Sequence, residues 1–263
     1  MLGLISTIQK TAEGYPQYRT RTSLTTTNAS TDYIWVSASS DFNNVSSDFS
    51  ISGWIKLTED ASSVDNTDGY CLIDVGNASN LGWDLRYIDA AGDDEAFSFR
   101  THDASGDGTT STVCKGDTDI DHARWYHVVA TYDTSATTAK IYFNGALDKT
   151  NPSMVNPADN SSTNCAVGAS QDNEIPAVMC EIVYWQGVTL SAAQVSGLYN
   201  GGRPRHGLSC ERGYIKGWWK LNGDDEGAAK SDGVLDSSGN SHTGTTGSGL
   251  VDGDFETADV PTV

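Results

Sequence analysis

The sequence predicts an all-β chain folded as a two-sheet antiparallel sandwich, and three observations carry that prediction. Hydrophobic residues make up 37% of the 263 and come in short runs separated by Gly, Ser, Thr, Asn and Asp, the texture of strands joined by turns. The runs either alternate with period two or are apolar on both faces, as half-buried and central strands require. Turn residues separate them throughout, which suits a sandwich better than a βαβ arrangement. A chain of this length can bury a sizeable core, and one main domain is the default for an all-β sandwich.

Residues 1–30 are Thr-rich and lack a sustained period, so they read as an N-terminal extended arm, either disordered or docked on a neighbouring subunit. In Phe49-Ser50-Ile51-Ser52-Gly53-Trp54-Ile55-Lys56-Leu57, the residues Phe49, Ile51, Ile55 and Leu57 share one face. Ser50, Ser52, Trp54 and Lys56 share the other, which makes a half-buried strand with Trp54 outward. Further strands are expected at 70–75, 82–87, 96–100, 165–167 and 180–185.

Residues 124–133 are apolar on both faces, as a central strand should be. His127 lies inside that run and is expected to be a core histidine with a satisfied partner. The next run, 140–149, contains Asn144-Gly145, two residues that tolerate positive φ, and reads as a hairpin. One short helix is expected near 192–199. Ser191 and Gln194 can form a capping box, Leu190 and Val195 a hydrophobic staple, and Gly201-Gly202 follow its end.

Taken in order, these segments resemble the laminin-G-like, concanavalin A-like jelly-roll domains. Phe49–Leu57 is similar to the family's first long strand, Trp125–Asp133 to its Trp-x-His-containing strand, and Lys140–Gly145 to the hairpin that follows. Glu181–Trp185, with Leu190–Val195 and Leu198-Tyr199-Asn200, resembles the family's closing strand and helix. The resemblance covers residues 31–204 and implies a jelly-roll domain over 31–206. Trp218-Trp219-Lys220-Leu221 with Asp236-Ser237-Ser238-Gly239-Asn240 resembles a further family segment, which in many relatives comes first. Here it lies in a C-terminal segment, 207–263, expected to pack on the sandwich or on a neighbouring subunit. That placement resembles tailed-phage and marine viral structural proteins.

Composition narrows the function. With 16 Lys+Arg against 35 Asp+Glu, the formal charge is −19, which repels a phosphate backbone and argues against nucleic acid. The start, Met1 to Lys10, has no basic region and too short an apolar run for a signal peptide, and no stretch is long enough to span a bilayer, so no membrane insertion is expected. Five cysteines at Cys71, Cys114, Cys165, Cys180 and Cys210 cannot all pair within one chain and form no metal-ligand spacing.

Enzyme signatures are missing: there is no nucleophile elbow, P-loop, HExxH or dinucleotide fingerprint. Related glucanases place acid and nucleophile on one strand in a Glu-x-Asp-x-x-Glu pattern, and no strand here has it: Glu181 is alone in its own, and Asp117, Asp119 and Asp121 alternate in a turn-like stretch without glutamate. Asp103, Ser105 and Asp107, with Gly108 sixth, resemble the opening of an EF-hand loop and are the candidate calcium ligands. The twelfth position of that loop is Cys114 rather than a bidentate Glu, and an acidic turn without metal is the other reading. Among seven tryptophans, Trp54, Trp83 and Trp218 are the candidates to stack on a sugar ring or anchor a partner, with ordinary packing as the alternative.

The expectation is a non-enzymatic structural or interaction module with no required cofactor, on a virion surface as a capsid decoration or fibre subunit. Its partners would be further copies of itself, other capsid proteins or surface glycans. A calcium-assisted carbohydrate-binding lectin is the alternative, and a glycoside hydrolase the third reading.

Overall fold

The turn-separated runs become fourteen strands in a computed structural model that describes residues 23–27, 32–44, 46–59, 66–76, 82–89, 96–103, 111–159, 162–168, 176–222, 233–256 and 258–261. In chain order they are β1 (Leu24–Thr25), β2 (Ile34–Val36), β3 (Phe49–Leu57), β4 (Asn66–Val75), β5 (Gly82–Asp89), β6 (Ala96–His102) and β7 (Ser111–Lys115). There follow β8 (Tyr126–Asp133), β9 (Thr138–Phe143), β10 (Ala146–Asn151), β11 (Cys165–Val167), β12 (Ala177–Gln186), β13 (Ile215–Trp219) and β14 (Gly244–Thr246). The α-helix among the described residues, α1, is Ala192–Tyr199. None of the described helices is long and apolar enough to cross a membrane.

The strands form two antiparallel sheets. The first has the order β1-β12-β3-β8-β9-β10, with β13 also paired to β12, and the second β14-β2-β11-β4-β5-β6-β7. Between them lies the main core. Phe49, Ile51 and Ile55 of β3 and Val128, Ala130 and Tyr132 of β8 face Ile73, Val75, Trp83, Leu85, Phe97 and Phe99 of the second sheet. Each fully buried Val, Leu, Ile or Phe side chain among them contributes about 1.5–3 kcal/mol.

Local chemistry sets the short-range elements. Asn144 and Gly145 both take positive φ, 46° and 81°, and join β9 to β10 with Phe143 paired to Ala146, the two-residue turn whose twist matches its strands. Ser191 caps α1 and Gln194 closes the capping box. The left-handed residue that ends the helix is Asn200 (φ 49°), one position before the expected glycines; an Asn side chain tolerates that region nearly as readily.

The expectation that β3 is half-buried is wrong. Every residue of β3 is buried except Lys56, which is partly exposed. Trp54 on its second face stacks on Tyr199 of α1, beside a smaller core in which Val129, Tyr142, Val183 and Trp185, with Ile215 and Trp218 of β13, meet Leu190, Val195 and Leu198, and against which Leu208 and Cys210 pack. The covering groups come from α1 and the C-terminal segment, far along the chain, so the local period of β3 could not reveal them. That segment also adds one strand to each sheet, β13 beside β12 and β14 beside β2. Of the N-terminal arm, β1 pairs with β12, and residues 1–22 lie outside the described residues.

Candidate functional site

Strand alternation places chemistry on the outer face of the second sheet. In β5, Trp83, Leu85 and Tyr87 enter the core, so Asp84 and Arg86 point the other way. The same parity turns Asp74 of β4, Ser98, Arg100 and His102 of β6, Trp35 of β2 and Ala166 of β11 outward. Register then aligns them. Thr245, Trp35, Ala166, Asp74, Asp84, Arg100 and Val113 are successive cross-strand partners from β14 to β7.

With strands about 4.8 Å apart, Trp35, Asp74 and Arg100 follow one another at intervals of about 10 Å. All three are partly exposed, while Ala166 and Asp84, which alternate with them, are buried. Tyr33 meets the Trp35 ring edge-on, centroids 5.1 Å apart, and so steadies its orientation.

Asp84 is the anchor. Arg86 grips its carboxylate through Nε and through Nη2, the latter at 2.8 Å, and Arg100 Nε donates to it at 2.9 Å. His102 Nε2 lies 3.7 Å from the same carboxylate, and the buried Nδ1 of His102 has no hydrogen-bond partner. Burial opposes ionisation of Asp84, but Arg86, His102 and Arg100 outweigh it and hold the carboxyl well below the usual range. Asp74, directly opposite, has the reverse balance: loss of hydration, then the Asp84 charge, pushes its carboxyl up to about 7. Two carboxylates thus meet across strands rather than along one. Asp84 is saturated by guanidinium donors, which unsuits it for attack on a sugar or for accepting a proton.

The three candidate tryptophans lie elsewhere, all buried, at 3%, 0% and 1% exposure for Trp54, Trp83 and Trp218. Trp54 stacks on Tyr199 of α1, centroids 5.7 Å apart, and Trp83 on Tyr184 at 5.5 Å inside the main core. Trp218 donates through Nε1 to the Glu181 carboxylate at 2.9 Å, beneath His206. None presents an open ring to a ligand, so packing accounts for all three, and Trp35 is the tryptophan that stands on the charged face. The pattern Ile34-Trp35-Val36, a tryptophan between two core residues, was the signal for it.

Of the candidate calcium ligands, Asp103 follows β6 and is partly exposed, and Ser105 and Asp107 lie outside the described residues. Among the described residues no group of three or more His, Cys, Asp or Glu side chains is placed to hold a metal ion. All five cysteines are free thiols. Burial pushes Cys114 and Cys210 up to about 11 and raises Cys71, Cys165 and Cys180 as well, which leaves them protonated and poorly nucleophilic.

Known proteins share this architecture. The family described as the concanavalin A-like lectin/glucanases superfamily matches residues 28–196. Among solved structures, a Bacteroides ovatus protein provisionally described as carbohydrate-binding superposes with a TM-score of 0.60 at 19% identity, over 89% of this chain and 59% of its own. The binding domain of Paraclostridial mosquitocidal protein 1 superposes at 0.50 and 19% identity, over 72% of this chain and 48% of its own. The chain therefore spans about half to three-fifths of each, and at these identities the likeness establishes the fold. No curated protein matches the chain.

Proposed function

The chain belongs to the concanavalin A-like lectin/glucanase superfamily, and from that membership we propose a non-enzymatic module that binds carbohydrate along the row from Trp35 to Arg100. The observation that carries this reading is the row itself. An aromatic ring, a carboxyl and a guanidinium stand on one face at regular spacing. A sugar offers an apolar ring face to the indole and hydroxyls that donate to Asp74 and accept from Arg100. On the first sheet, α1 and the C-terminal segment cover the outer face around Val129, Tyr142, Val183 and Trp185. The description of the Bacteroides ovatus protein supports the same class of ligand.

The test is titration calorimetry of the full chain against a broad oligosaccharide panel. Binding of at least one glycan is expected, weakened about tenfold, or about 1.4 kcal/mol, by Trp35→Ala. A panel in which nothing binds, or binding indifferent to Trp35 and Asp74, removes this face as the site.

We place the module, more narrowly, on a virion surface. The support is the position of the Trp218–Asn240 segment after the jelly roll and three exposed apolar side chains, Tyr214, Leu235 and Val251, on the C-terminal segment 207–263, which suit subunit contacts. Light scattering across a wide concentration range checks this: a closed oligomer that survives dilution is expected, and a monomer throughout overturns it.

A further inference from the structure

We propose that the row binds an acidic sugar, a glycan whose carboxylate seats on the outward edge of the Arg100 guanidinium. This rests on the carbohydrate-binding reading of the same face and names the ligand within it.

The geometry of donors leads there. Arg86 is buried and turned onto Asp84 through two nitrogens. Arg100 touches Asp84 only through Nε, and its side chain keeps 23% of its surface exposed. A guanidinium engaged at Nε still has its Nη donors, a planar fork that matches a carboxylate with two parallel hydrogen bonds. Arg100 also lies toward the end of the row, beside the exposed Val113 of β7, where a substituent can approach without displacing the buried pair.

Charge agrees with geometry. Among the described residues two guanidiniums meet one firmly ionised carboxylate, Asp84, so these groups together lean positive whenever Asp74 is protonated. In a chain with a formal charge of −19 this is a local exception, able to hold one acidic group while the surrounding field discourages densely charged polymers. The groups that face Asp74 are Cys71 on its own strand, Asp84 and Arg86 from β5 and Arg100 from β6; the thiol of Cys165, on β11, also senses its charge. His102 stands beyond Asp84 on the same face. The Asp74 carboxyl, pushed up to about 7, is therefore the group whose ionisation changes the balance near neutrality. Above that pH a second carboxylate faces the ligand's own.

The experiment titrates the full chain with sialyllactose against lactose, and with trigalacturonate against its methyl ester, at pH 6 and pH 8. At least one acidic probe is expected to bind about tenfold or more tighter than its neutral counterpart, and to weaken as pH rises from 6 to 8 while its own carboxylate stays ionised. Arg100→Lys, which keeps the charge and removes the planar fork, is expected to lose most of that preference with the thermal midpoint retained. Asp74→Asn is expected to bind equally at both pH values. The wild-type pH profile needs no variant and stands even where one fails to fold. Equal binding of acidic and neutral partners overturns the acidic assignment and leaves carbohydrate binding in place. A neutral oligosaccharide as the sole ligand from the broad panel has the same consequence, whereas no glycan bound at all sinks both readings.

Discussion

The Asp236 carboxylate accepts the backbone N–H of Trp218 at 3.0 Å, and with that bond it fastens the C-terminal segment to the strand it follows. The same side chain accepts from the N–H of Ser238 at 2.8 Å, the Ser238 hydroxyl at 2.7 Å and the N–H of His242 at 3.0 Å. The Asp-Ser-Ser-Gly-Asn run is thus a turn wound around one buried carboxylate, a fastening rather than a ligand site.

Asp236→Ala leaves several of those N–H groups without an acceptor, at about 1–3 kcal/mol for each that stays buried. A loss of about 2–4 kcal/mol in urea unfolding is expected. Asp236→Asn, which keeps one acceptor oxygen, should cost clearly less. An alanine variant as stable as the wild type would mean that water replaces the carboxylate freely.

Gly145 ties the β9–β10 hairpin to the helix. Its φ is 81°, and a Cβ there would meet the Tyr199 Cβ at 3.0 Å and the Ser196 Cα at 3.3 Å. Gly145→Ala therefore combines left-handed strain of about 1–2 kcal/mol with a tight approach in which the Tyr199 side chain and the helix must give way slightly. Thermal unfolding should show a midpoint lower by several degrees, and near-UV circular dichroism a change around Trp54, which stacks on Tyr199.

What was legible in the sequence was local. The capping box of α1 and the Asn-Gly turn depend on neighbours within four residues, and both formed where the residue types require. Trp54 was misjudged because its cover arrives with Tyr199, on a helix that no period in β3 can announce. The charged face was half legible: Trp83, Leu85 and Tyr87 alternate with Asp84 and Arg86, so the parity of β5 was readable. The row was not, because Trp35, Asp74 and Arg100 come together only through the registers of β2, β11, β4, β5 and β6. Short polar strands such as β7 and β14 carry too little apolar signal to be read alone.

His127 supplies a pH signature. It is buried against Trp54 and Tyr199, ring centroids 4.9 and 6.2 Å away. Its Nδ1 has no hydrogen-bond partner, so the expected satisfied partner is replaced by ring packing. Burial lowers its pKa to about 3. The unfolded chain binds the proton first, so stability falls as pH drops from about 6.5 toward 3. His127→Phe, which keeps a ring in the stack, should flatten that slope; an unchanged slope would assign it to other groups.

Asp74 acts in the opposite direction over an overlapping window. Loss of hydration and the neighbouring Asp84 charge push its folded carboxyl up to about 7, from an ordinary value of 3.8. Between those values the folded chain holds the proton more tightly, so stability contributed by the neutral form is present below about 4 and lost as pH rises to 7, then level. Asp74→Asn stays neutral at every pH and should be more stable than the wild type at pH 8, with little difference at pH 4. Because His127 belongs to the first sheet and Asp74 to the outer face of the second, their effects should add. In wild type the two slopes partly cancel between pH 4 and 6.5. Asp74→Asn alone should therefore steepen the acid side, His127→Phe alone should expose a decline toward pH 7, and the double variant should be flatter than either. Urea midpoints across pH 4–8 test this, and a double variant as steep as either single one would show that the two groups are coupled.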